Sequence, residues 1–317
     1  MPARLVSGSA YAALVQAVAA ASASDEAACD LQRFPDGELR PTVTGIRGGD
    51  VYVVAGTGPP VSDSIVELLL VLDACRRGGA ERITAVMPYF GYARQDRRGR
   101  PGEAVGARVV ADALAGAGAQ RLVVVDPHTP ALEAMCGVPM EMVTAVPVLA
   151  RALAPDVPDG AVVVAPDLGA VKLAERYASL LGRTVAVVRK TRVSGDAVHA
   201  EELVGDVAGR RALIVDDMIS TGGTIEAAIR VLVAAGAVPE IVVAATHGLL
   251  VGTAAERLGA APIRRLVVTD SVPTGAAGAP GGPGGLPVEV QSIAPLLADV
   301  VGRLHRDEEL ADLLVRT

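Results

Sequence analysis

The stretch "ALIVDDMISTGGT", residues 212–224, runs from four apolar or small residues into two adjacent acids and then into Ser-Thr-Gly-Gly-Thr. An apolar run bounded by a glycine turn reads as a buried strand, and the amphipathic stretch behind it, residues 223–234, reads as a helix. In open α/β sheets, ligands bind beyond the carboxyl ends of the strands. Asp216 and Asp217 are expected at such an end. Ser220, Thr221, Gly222, Gly223 and Thr224 then form a turn whose small residues leave main-chain N–H groups aimed at an anion, assisted by a helix dipole and hydroxyls. Phosphate suits the turn. The two carboxylates suit the vicinal hydroxyls of a sugar phosphate, directly or through Mg²⁺. The structural alternative is a helix cap followed by a glycine turn; at typical cap strengths of about 1 kcal/mol it accounts for one acid and not for two.

Similar apolar runs start at Val51, Ile83, Arg121, Ala161, Val185, Glu240 and Arg265, with amphipathic helical stretches at 64–77, 104–117 and 171–181 between them. Strands alternating with helices predict an α/β fold built on mainly parallel sheets with right-handed crossovers. At 317 residues and 51% hydrophobic, the chain has ample interior for two ordinary domains or one large α/β domain. "LLLVLDACRRGGAERITAVMPYFG" in the first half matches the plan of "AAIRVLVAAGAVPEIVVAATHG" in the second, and "RLVVVD" at Arg121 matches "RLVVTD" at Arg265. These repeats predict two similar domains, 1–145 and 146–317. The first half carries an extra polar, Arg-dense segment, residues 91–103, which points to a functional loop.

Composition closes several doors. A net charge of −7 argues against nonspecific nucleic-acid binding, which needs a basic surface. Cys29, Cys75 and Cys136 are far apart and form no CxxC pair, so neither a disulfide framework nor a thiolate zinc site is expected, and a reducing cytoplasm fits. No run of 18 uninterrupted apolar residues suggests a membrane span. The first residues superficially resemble a secretory signal, but Ser7, Gly8 and Gln16 interrupt the apolar part, and a first strand followed by a helix is the better reading. The Gly/Pro-rich segment from Thr274 reads as a surface loop, and the tail after it as one or two helices with Pro295 at a start. Lysine occurs only at Lys172 and Lys190. In a chain that uses arginine almost everywhere else, a retained lysine suggests a need for a compact ammonium.

"RFPDGELR" from Arg33, "PYFGYARQDRR" from Pro88, "VDPHT" from Val125, "APDLGAVKLAE" from Ala165, "RKTR" from Arg189 and "ATHGLL" from Ala245 accompany the opening turn. Their order and spacing resemble those of the ribose-phosphate diphosphokinases, or phosphoribosyl-diphosphate synthetases, over nearly the whole chain. The resemblance implies two tandem phosphoribosyltransferase-type domains. It also implies transfer of the β,γ-diphosphate of ATP to the C1 hydroxyl of ribose 5-phosphate, with Mg²⁺ as cofactor, in a homodimer or higher homo-oligomer. On the same basis Phe34, Asp36, Gly37 and Glu38 resemble the adenine site, and Arg94, Gln95 and Asp96 the family's ATP contacts, with Arg97, Arg98 and Arg100 able to reach phosphates. His128 and Asp167 match Mg²⁺-linked positions. By ligand chemistry alone His128 reads as a strand-end hydrogen bonder and Asp167 is the stronger candidate. Lys190 and Arg192 match the catalytic pair of a flexible loop.

The chain departs from the common family pattern at Pro127, at Ala170, at Arg108 where lysine is frequent, and at Ser220 where a third aspartate is frequent. The segment after His128 differs and the Arg-rich loop is shorter, which bears on subunit contacts and regulation. Two other readings stay open: a catalytically silent subunit associated with true synthetases, expected to lack the Lys-Arg pair or the Arg-Gln-Asp segment, and a phosphoribosyltransferase, which the doubled architecture disfavours.

Overall fold

The computed structural model describes residues 3–192, 199–273 and 288–315, and of residues 190–192 and 199–201 the main chain alone. It divides into two compact units. The first contains β1 (Ala3–Ser7), α1 (Ala12–Ser22), β2 (Asp25–Glu26), β3 (Ala28–Arg33), β4 (Leu39–Thr44), β5 (Asp50–Val54), α2 (Val61–Arg77), β6 (Arg82–Met87), α3 (Gly106–Ala117), β7 (Arg121–Val125), α4 (Leu132–Met135) and β8 (Met140–Val143). The second contains α5 (Val146–Leu153), β9 (Val162–Ala165), α6 (Val171–Leu181), β10 (Thr184–Arg192), β11 (His199–Val204), β12 (Ala212–Ile219), α7 (Gly223–Ala234), β13 (Ile241–Gly248), α8 (Ala254–Gly259), β14 (Ile263–Thr269) and β15 (Val288–Gln291). The last helix, α9 (Ala294–His305), returns to the first unit with the rest of the tail and Ser271–Pro273. That return corrects the expectation that residues 146–317 stay together. The cause is packing: α9 lies against α1, and Leu314 bridges to Val143 at the edge strand β8.

The first unit's sheet runs β2-β1-β5-β6-β7-β8, every neighbouring pair parallel, and β3 and β4 form a separate antiparallel hairpin. The second sheet runs β11-β10-β9-β12-β13-β14-β15, antiparallel only between β10 and β11. Its two faces are both covered. Val162, Val164 and Ile214 pack with Ile225, Ile229 and Leu232 of α7, while Val163, Leu213 and Val215 pack with Leu149 of α5 and with Ala174 and Tyr177 of α6. Strand neighbours point to opposite faces, so burial on both sides requires the unbroken apolar runs seen in the sequence. Among the described residues no helix is long and apolar enough to cross a membrane. The Gly/Pro-rich segment lies outside the described residues.

At the amino ends of the first unit's strands a polar cluster fastens α9. Asp50, only 1% exposed, accepts on Oδ2 from the Tyr52 hydroxyl (2.8 Å) and Arg82 Nη2 (2.7 Å), and the same oxygen lies 2.8 Å from His305 Nδ1. Arg82 Nη1 also reaches Asp307 (2.9 Å). A cavity of about 390 Å³ opens beside them, lined also by Gln120 and Arg121; it lies at the end of the sheet opposite to where ligands gather. Burial alone would raise the Asp50 carboxyl, but hydrogen bonds from Arg82, His305 and Tyr52 outweigh it and hold the group below its ordinary value. Asp50→Asn is therefore expected to cost about 2 kcal/mol at neutral pH, discounted because Arg82 is partly exposed. The folded value lies below the unfolded one, so the contribution is full above the ordinary carboxylate range and is lost as pH falls below about 4. Urea unfolding of both proteins across pH 3–7 checks this, the difference closing at the acid end.

Candidate functional site

In the second unit the chain leaves β9 for β10 on one side and later places β12 on the other, so the carboxyl end of β9 is a topological switch point. Asp167 follows it, one residue on after Pro166. Its Oδ1 accepts from the main-chain N–H groups of Gly169 (2.9 Å) and Ala170 (3.3 Å), capping the short turn Leu168–Ala170. Next to it, β12 pairs with β9 only as far as Ile214 but with β13 as far as Ile219. Asp216 and Asp217 therefore lie within the strand and not at its end as the sequence suggested. The partner β13 carries the ladder past them, and they border the gap above β9.

The acids are half-buried, and the Asp217 N–H donates to Asp216 Oδ1 (2.9 Å). Burial pushes the Asp216 carboxyl well up. The charge and side-chain hydrogen bond of Asp217 and the charge of Asp167 add to the rise, against the main-chain bond from Asp217. Three carboxylates crowded at one switch point are hard oxygen donors suited to a divalent cation that would relieve their repulsion. Among the described residues no three His, Cys, Asp or Glu side chains are grouped so that together they could hold a metal ion. One or two carboxylates can still bind a hard divalent cation that completes its shell with phosphate oxygens and water.

After Ile219 the chain turns through Ser220, Thr221 and Gly222 into α7, whose first residues are Gly223 and Thr224. The N-cap is Gly222, which has no side chain to cap the helix, so its leading N–H groups are available to an anion. The turn is buttressed from behind: Leu250 N donates to Ile219 O and Val251 N to Ser220 O, each at 3.0 Å. Gly222 has φ +75°, and a Cβ there would stand 3.0 Å from the Leu258 side chain. A Cβ on Gly223 would stand 3.2 Å from Arg257 Nη1. Arg257 in turn meets Glu226 of α7 at 3.1 Å.

Lys190 and Arg192 were expected on a loop. Their main chain instead forms the last residues of β10, with Lys190 opposite Glu201 and Arg192 opposite His199 in the ladder with β11. Their side chains and residues 193–198 lie outside the described residues.

The remaining candidates sit in the first unit. Phe34 to Glu38 make the turn of the β3–β4 hairpin: Phe34 N donates to Glu38 O (2.8 Å), Gly37 N to Phe34 O (2.9 Å), and Glu38 N to Asp36 Oδ1 (3.1 Å), with Gly37 at φ +99°. Phe34 is 43% exposed, so its ring is not a core element, and the Arg40 guanidinium lies 5.1 Å from its centroid. Tyr89 and Phe90, which the sequence grouped with the functional motifs, are buried in the first unit. Arg94 and Gln95 are exposed at the start of the Arg-rich loop and Asp96 is half-buried, 3.6 Å from Arg97 Nε. Glu103 folds the loop by accepting from Gly99 N (2.7 Å) and Arg100 N (2.9 Å). The Arg94, Arg98 and Arg100 side chains are exposed and meet no carboxylate among the described residues. His128 is exposed just beyond β7, after Asp126 at φ +36°.

The second unit thus gathers Asp167, Asp216, Asp217 and residues 220–224, whereas the first carries the Phe34 turn, the Arg94–Asp96 segment and His128 on separate loops. Sequence reasoning passed over Glu226 and Arg257. An acid in the first turn of a helix that is to face an anion is an anomaly that calls for a counter-ion, and that signal was available.

Parallel sheets covered by helices, with carboxylates and a glycine turn at a switch point, define an open α/β protein built to hold an anionic ligand there. A model described as the N-terminal domain of ribose phosphate pyrophosphokinase matches residues 3–118, and one described as a phosphoribosyl synthetase-associated domain matches residues 197–315. The chain is 42% identical to a ribose-phosphate pyrophosphokinase of Rhodopirellula baltica, covering 89% of either chain. It is 36% identical to one of Gloeobacter violaceus, covering 98% of this chain and 92% of the other. A crystal structure of phosphoribosylpyrophosphate synthetase from Mycobacterium smegmatis matches with a TM-score of 0.87 at 35% identity, covering 97% of this chain and all of that one. The chain belongs to the ribose-phosphate pyrophosphokinase family.

Proposed function

We propose that the protein is an active ribose-phosphate diphosphokinase. The C1 hydroxyl oxygen of ribose 5-phosphate attacks the β-phosphorus of ATP, the bond from that phosphorus to the α,β-bridging oxygen breaks, and the hydroxyl proton is released. The products are 5-phosphoribosyl 1-diphosphate and AMP. The observation that carries this reading is the uncapped start of α7 beside the Asp216–Asp217 pair, in a chain of this family.

Residues 220–224 hold the 5-phosphate on main-chain N–H groups together with the hydroxyls of Ser220, Thr221 and Thr224, and Asp216 and Asp217 accept from the ribose hydroxyls. Phe34 packs on the adenine, with Asp36 and Glu38 as acceptors, and Gly37 permits the turn that presents them. Arg94, Gln95 and Asp96 orient the triphosphate. One or two of Asp167, Asp216 and Asp217 would hold Mg²⁺, which would supply charge neutralisation for the triphosphate; His128 is a further metal-linked position that the family resemblance implies. Lys190 and Arg192 oppose the charge that builds on the transferring group, where aligned cationic donors do most of the work in phosphoryl-type transfer. The protein works in the cytoplasm as a homo-oligomer.

Phosphorus NMR of purified protein with Mg²⁺, ATP and ribose 5-phosphate tests the reading. AMP and phosphoribosyl diphosphate are expected to appear together. ADP in place of AMP, or no turnover, sinks it.

A further inference from the structure

Glu226 presents a puzzle. It stands in the first turn of α7, where an acid normally suits the helix dipole, yet the same helix start is free to receive an anion. A carboxylate there repels a phosphate dianion. Arg257, on the neighbouring α8, supplies the answer. Its Nη1 meets Glu226 Oε2 at 3.1 Å and lies 3.2 Å from where a Cβ on Gly223 would be, against the first residue of the helix. The next residue, Leu258, is fully buried and packs under Gly222. One short helix therefore fixes the cation and the back wall of the turn together. The arginine and glutamate side chains are 37% and 44% exposed, so the pair itself is worth little to folding. Its position is what needs explaining.

We infer that the Arg257–Glu226 pair sets the charge of the turn: Arg257 is a positioning residue that strengthens retention of the sugar phosphate, and Glu226 moderates it so that product can leave. The inference rests on the placement of the 5-phosphate at residues 220–224 proposed above. A single charge beside a helix start acts on an anion through a field, so the two residues have opposite signs of effect. A bridge that merely braces the turn would give both the same sign.

The test is steady-state kinetics of Glu226→Gln, Arg257→Ala, Arg257→Lys and Thr224→Val, with KM for ribose 5-phosphate and for ATP measured separately. Arg257→Ala is expected to raise KM for the sugar phosphate and Glu226→Gln to lower it, each by about three- to tenfold, the weight of one partly exposed charge at a helix terminus. KM for ATP stays put, and Arg257→Lys falls near wild type. If Glu226→Gln and Arg257→Ala both raise KM, or neither changes it, the inference is overturned. Thr224→Val separates the two failures. If it raises the sugar-phosphate KM while the pair variants do nothing, only the inference falls. If it changes nothing either, the placement of the 5-phosphate falls and takes the inference with it.

Discussion

Replacing Lys190 with alanine is expected to lower kcat by about 10²–10³-fold, the range for removing one preorganised donor from a developing charge. KM for either substrate is expected to change little, because the proposed interaction is made in the transition state and not in the ground state. The unfolding midpoint also stays put. Lys190 contributes to the β10–β11 ladder through its main chain, opposite Glu201, and alanine preserves those groups. Arginine at this position should rescue poorly, since a planar fork replaces a compact ammonium, which fits the survival of lysine in a chain with only one other. Single-turnover assays alongside thermal unfolding check both halves. An unaltered kcat removes Lys190 from the mechanism.

Asp216→Asn should do two opposite things. It lowers kcat/KM for ribose 5-phosphate by about 10²-fold, the worth of a lost charge-assisted hydrogen bond. It also makes the protein more stable, by about 1 kcal/mol, because it removes a carboxylate crowded by burial, Asp217 and Asp167. The pH dependence carries the sign. The folded-state carboxyl titrates above its unfolded value, so the folded state binds the extra proton between the two values and wild-type stability declines as pH rises through that window. The asparagine variant lacks that decline. Differential scanning of both proteins from pH 4 to pH 8 without divalent metal reads the effect directly, and a variant that melts below wild type throughout contradicts it.

The sequence revealed the elements whose pattern is local. Helices at 171–181 and 223–234 appear with the ends the periodicity predicts, because an amphipathic stripe on a covered sheet leaves few other solutions. The hairpin β3–β4 and the edge strands β11 and β15 did not stand out. About half of their residues are polar, and they lie on two-stranded or edge surfaces, where burial on both faces does not enforce an unbroken apolar run. Asp216 and Asp217 were legible as chemistry but misplaced by a few residues, since only the partner strand decides where a ladder stops. Arg257 was illegible as a motif: one arginine on a six-residue helix gains meaning only beside Gly223 and Glu226.

The homecoming of α9 has a bearing on biosynthesis. The first unit is interrupted by nearly the whole of the second and needs residues from the far end of the chain to cover α1 and to fill the place beside Asp50. On the ribosome the earlier-synthesised unit must therefore wait, its α1 face bare and Asp50 without His305, until the later one has emerged. The later unit, closed by β15 before α9 is made, is free to fold first. The order of completion is the reverse of the order of synthesis, and a chain stalled or clipped before residue 294 would carry one finished unit and one with an exposed apolar seam.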